Sequence, residues 1–199
     1  MVDKIDKLAN VAADTTLGEL SAPRYTDTPL PPYRFVQGRT PHPIAHPQGH
    51  SYRPPGEVEP GLTPVRPENW SGCAEYLYGV DLYNHGFWWE AHESIEAVWQ
   101  TTDKQSPQGR FLQGLIQIAC GQLKLHTRTP RGVRHYITRG GLHLRFARGH
   151  VGRHYMGLDI DDFVASARAY FTAMTVGPVA DWRHDPGCYP YIRLEGAAR

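Results

Sequence analysis

FWWEAHESIEAVWQT, residues 87–101, decides the architecture. Projected at about 100° per residue, Phe87, Trp88, Ala91, Ile95 and Val98 gather on one side, the signature of an amphipathic helix. His92 and Trp99 sit at the edge of that apolar face, with His85 and Glu96 just beyond. Glu90 and Glu93 point further round, toward solvent or another helix.

Helices are expected on both sides of this one. Upstream, ENWSGCAEYLYGVDLYN (residues 68–84) forms a first helix with Trp70, Ala74, Leu77, Tyr78 and Leu82 roughly on one side, and Gly86 breaks it. Downstream, Ser106-Pro107 opens a third helix reaching about His126, with serine as N-cap and proline at the first helical position. Thr129-Pro130 opens a fourth by the same device, running to about Val151. Asp159 to Met174 makes a fifth, and its acidic first turn suits the helix dipole. The connections are short, so neighbours pack antiparallel. Gly114 and Gly121 in the third helix permit close helix contact at a cost in intrinsic helicity. The fold class is therefore all-α, an antiparallel bundle of about five helices.

The flanks read differently. Twelve of the 17 prolines lie between Pro23 and Pro67. Each removes a backbone donor and restricts its predecessor, which makes that stretch an extended arm. The expected organisation is an arm over residues 1–67, weakly helical at best at its start, a bundle over 68–175, and an irregular tail over 176–199 packing on the bundle. Tyr33–Val36 in the arm and Tyr189–Glu195 in the tail alternate like short strands and are expected to pair or lie side by side.

Composition narrows the class. The 199 residues carry a net charge of +1 and 40% hydrophobic residues, enough for a core without disulfide or metal staples. Cys73, Cys120 and Cys188 form no CxxC pair, so a zinc ribbon or thioredoxin-type centre has no support. Their scatter fits a reducing compartment. The start has no apolar core of signal-peptide length, and no run approaches the roughly eighteen apolar residues of a membrane span. Cytoplasm is the expected location. No GxSxG elbow, P-loop or GxGxxG is present.

The segments NHGFWWEAHESIEAVW and FLQGLIQIACGQL together resemble the domain-of-unknown-function family number 309, an all-helical family marked by an HxxxExxW motif and a following GLIQ-like helix. Here the motif falls on His92, Glu96 and Trp99. The resemblance implies the fold and a special status for these three residues. It supplies no reaction, and the proline-rich arm lies outside it.

Two functions stay open. His92 and Glu96, four apart, are neighbours on one helical face and can share a divalent zinc, manganese or iron ion. Glu93 would then be the base, with further ligands or proton carriers from His85 or from His42, His46 and His50 in the arm. His50 and His42 are preferred. Alternatively the His–Glu–Trp cluster only orients helices in a binding or scaffold module. Charge is segregated: Glu57–Glu96 holds eight acidic residues against Arg66, and Lys104–Arg153 holds ten basic residues and no acidic one. Ion pairs at the helix seams would explain this. So would an anion site, with Arg139 gripping a carboxylate or phosphate. In the fourth helix Arg139, His143 and His150 form a polar stripe opposite Val133, Ile137 and Leu144. Gln113 and Gln117 line the narrow polar side of the third helix and would orient a ligand if they face His92. Cys120 reads as a core residue. The expected partner is a small anionic molecule or a protein, with homo-oligomerisation open; no membrane and no nucleic-acid motif is indicated.

Overall fold

The structure is a computed structural model that describes residue 20 and residues 22–54, 56–57 and 61–197. The expectation for the first residues lies outside the described part. Among the described residues are five α-helices: α1 (Ala74–Asn84), α2 (Trp88–Gln100), α3 (Pro107–His126), α4 (Pro130–Val151) and α5 (Ile160–Met174). They form an antiparallel bundle. No helix among the described residues is long and apolar enough to cross a membrane.

The first helix differs from expectation. Pro67–Gly72 is a 3-10 segment, and α1 starts only after Cys73, which is extended at φ −88° and ψ 99°. Ser71 and Gly72 are weak helix formers, and the break leaves Cys73 only 4% exposed. Gly86, at φ +80°, makes the left-handed turn into α2.

α3 and α4 approach each other closely at three glycines. A Cβ built on Gly114 would lie 2.6 Å from Leu144, on Gly121 2.4 Å from Ile137, and on Gly140 2.9 Å from Ile118. These pairs run in opposite sequence directions, which is the antiparallel register itself. Ser106 Oγ accepts from the Gly109 N–H at 3.0 Å, and the Asp159 carboxylate accepts from the Asp162 N–H at 3.0 Å. Thr129 makes no such side-chain bond.

Between α4 and α5 lies a hairpin that sequence reading missed, β1 (His154–Tyr155) against β2 (Leu158–Asp159). Its turn residues Met156 and Gly157 both have positive φ, 46° and 80°, as a type I′ turn requires. The tail pairs here and not with Tyr33–Val36: Leu194 bridges Leu158, and the Glu195 N–H donates to the Gly157 carbonyl. Asn84 completes the docking, its amide donating to the Ile192 carbonyl and its oxygen accepting from the Ile192 N–H, both at 2.8 Å. A buried side-chain amide thus stands in for a strand partner.

The arm is fastened by two buried carboxylates. Asp81, fully buried in α1, accepts from the Tyr25 N–H (2.7 Å) and from the Thr26 N–H (2.9 Å) and hydroxyl (2.8 Å). Arg24 Nε lies 3.0 Å from the same group. Glu90 of α2, expected toward solvent or another helix, is 5% exposed and accepts from the Phe35 N–H at 2.7 Å. Projection already put Glu90 about 60° from Phe87; the docked arm covers that flank.

Candidate functional site

α2 presents His92, Glu93 and Glu96 together at the surface of the bundle. His92 Nδ1 lies 3.0 Å from Glu93 Oε1, and His92 Nε2 lies 3.5 Å from Glu96 Oε2. The imidazole therefore sits between two carboxylates. One potential ligand atom from each residue falls within 4.8 Å of the others. The three side chains are 25%, 37% and 35% exposed, so the cluster is open to solvent. His92 Nδ1 is buried and makes no hydrogen bond of proper geometry. The donor set of one nitrogen and two carboxylates suits zinc, manganese or iron. Gln100 Nε2 donates to the other Glu96 oxygen at 3.3 Å.

A cavity of about 340 Å³ adjoins His92. α2 supplies Trp88 and Trp89, α3 supplies Cys120 and Lys124, α4 supplies Tyr136, and the arm supplies Phe35 and His42. His42 Nδ1 accepts from the backbone N–H groups of Ile44 and Ala45, both at 3.3 Å, which leaves its proton on Nε2. Burial pushes the Cys120 thiol up to about 11, with Lys124 opposing and Glu96 and Glu93 reinforcing the shift. Cys120 thus faces the acidic cluster as a neutral thiol, not a nucleophile. Gln113, Gln117, Cys120 and Lys124 share one face of α3 by helical spacing. Gln117 Oε1 is buried without a hydrogen-bond partner among the described residues.

The other candidates fall elsewhere. His50 Nε2 lies 3.2 Å from Glu90 Oε1, and its backbone N–H donates to the Tyr33 hydroxyl. His50 thus secures the arm on a different flank of α2 from His92. Lys104 Nζ stands 4.0 Å above the Trp99 ring, whose indole N–H is buried without a hydrogen-bond partner among the described residues. Arg139 is exposed and does not line the cavity. It faces His143, which is buried rather than part of an exposed polar stripe. Burial first, then Arg110 and Arg139, hold the His143 imidazole below its ordinary value. Among the described residues, ion pairs at the seams join α4 and the segment after it to α5 and its N-cap residue, Arg148 with Asp161 at 3.0 Å and Arg153 with Asp159 at 2.7 Å, while the buried acids Asp81 and Glu90 hold the arm. Sequence reading missed Trp89, and it placed Lys124 with Gln113 and Gln117 on the polar side of the third helix without giving it a role. The adjacent tryptophans were visible, but only the docked arm turns Trp89 into a cavity wall.

The fold and site define a small helical-bundle protein with a His–Glu–Glu cluster beside an aromatic cavity. Residues 76–136 match the model of the family described as Domain of unknown function (DUF309), the family that the HxxxExxW and GLIQ-like segments resemble. The matched stretch contains His92, Glu93, Glu96 and Trp99 but not the arm. Neither the curated proteins nor the solved structures give a match.

Proposed function

We propose that the protein is a small metal-dependent enzyme of hydrolase type, acting on an anionic small molecule, with a divalent ion held by His92, Glu93 and Glu96. The observation that carries this is the convergence of the three ligand atoms within 4.8 Å beside a cavity. Three protein ligands with open positions are the arrangement of a catalytic site, where the ion serves as Lewis acid or lowers the pKa of bound water. On this reading Glu93 is a ligand. The proton carrier nearest the cavity is then His42, which lines it with Nε2 protonated. Lys124 supplies the charge that meets the anion. The Gln100–Glu96 hydrogen bond favours a second reading, in which the cluster is a surface side-chain network of a binding module.

Elemental analysis of untagged protein purified without chelator tests the proposal. Near-stoichiometric zinc, manganese or iron is expected, lost in both His92→Ala and Glu96→Gln while their thermal melts stay cooperative. Metal-free protein that fails to take up added ions would leave the second reading.

A further inference from the structure

The cavity beside His92 has an uncommon lining. Its aromatic walls come from separate parts of the chain: Phe35 from the arm, Trp89 from α2 and Tyr136 from α4. Phe35 and His42 meet the Trp89 ring edge-on, with centroids at 5.1 and 5.2 Å and planes at 70° and 78°. Phe35 and His42 also touch each other, at 4.9 Å, so the three rings form one packed aromatic wall against which a further flat ring can lie with edge-to-face or offset contacts. The volume of about 340 Å³ lies at the small end of ligand sites, the size for a single-ring molecule.

Charge decides the rest. Among the described residues, Lys124 is the one lysine or arginine that lines the cavity, and no carboxylate lines it. Cys120 adds no charge, because its thiol stays protonated. The Lys124 stem lies against Gly132 at the start of α4, where a Cβ would come 2.8 Å from Lys124 Cγ. The ammonium is thus carried on a stem packed against the bundle.

We propose that this cavity binds a planar aromatic molecule bearing one oxyanion, a carboxylate or a phosphate, with the ring among Phe35, Trp89 and Tyr136 and the oxyanion at Lys124. The inference rests on the metal reading only for placing a reacting bond near His92; the binding itself requires no ion.

The test is titration calorimetry on the full chain with phenyl phosphate, benzoate and inorganic phosphate. The proteins are wild type, with and without chelator, Lys124→Met and Trp89→Leu. At least one aromatic anion is expected to bind ten-fold or more tighter than inorganic phosphate, and the tighter of the two identifies the oxyanion. Lys124→Met, which keeps the stem and removes the charge, weakens that binding at least ten-fold. Trp89→Leu does the same, and chelator leaves wild-type binding unchanged. Aromatic anions that bind no better than phosphate overturn the proposal. So does binding that ignores Lys124→Met, or binding lost on adding chelator, which would put the oxyanion on a metal. Lys124→Met carries the decision if Trp89→Leu fails to fold. Intact aromatic binding in a protein that takes up no metal would overturn the metal reading alone.

Discussion

His143 shows how one residue can be misassigned by periodicity and still carry a measurable signature. Helical projection put it on a polar stripe, yet the tight α3–α4 approach buries it, with Arg110 Nη1 3.4 Å from its Nδ1. Accepting from a guanidinium requires the neutral imidazole. Its folded pKa lies below the ordinary value of about 6.5, so below that pH the unfolded chain binds the proton more readily. Stability contributed by neutral His143 is therefore full above about 6.5 and is lost as pH falls from there toward the lowered folded pKa. His143→Gln keeps an acceptor for Arg110 without titrating. Urea midpoints measured at pH 7.5 and 5.5 are expected to fall less in the variant than in the wild type, and equal falls would mean the imidazole is not held neutral.

At the scale of elements, what was legible depended on whether a signal was local. The boundaries of α2, α3, α4 and α5 followed from caps, prolines and a period near 3.6, which nearest neighbours determine. The same cap signal had two outcomes. Ser106 reaches the Gly109 N–H, whereas Thr129 makes no capping bond and its hydroxyl turns to Thr127. Ser106→Ala is expected to cost about 1 kcal/mol and Thr129→Ala no more than about 0.5 kcal/mol, read from urea denaturation. Equal losses would show that proline at the first position, not the serine side chain, sets these starts. The His92–Glu96 adjacency was legible because i and i+4 meet on any helix. The place of Glu90, the cavity walls at Phe35 and Trp89, and the role of Lys124 were not, because each depends on where the arm lands. The arm's landing is set by single side-chain acceptors far away in sequence, and no periodicity encodes those.

For the whole molecule, the arm is the element that turns a helical bundle into a bundle with a cavity. Its attachment at Asp81 is fully buried, and removing one partner of a buried charged cluster costs about 3–5 kcal/mol. Asp81→Ala leaves the Tyr25 and Thr26 donors unpaired next to Arg24. The expected result is a loss of about 3 kcal/mol in urea unfolding, together with faster proteolysis within residues 22–54 than within the bundle. An arm that stays resistant in that variant would show that Glu90, the Tyr78 hydroxyl donating to the Pro29 carbonyl at 2.8 Å, and the packed rings suffice to hold it.

Phe35 and His42 reach the cavity from the arm, so one wall is held on the bundle by the Phe35 N–H bond to Glu90 and by ring contacts with Trp89. On the binding proposal, a molecule in the cavity would leave past that wall without any helix moving, and its residence time would follow how often the Phe35 N–H lets go of Glu90. On that proposal arrival and departure would belong to the arm, and the register of His92, Glu93 and Glu96 to α2 alone.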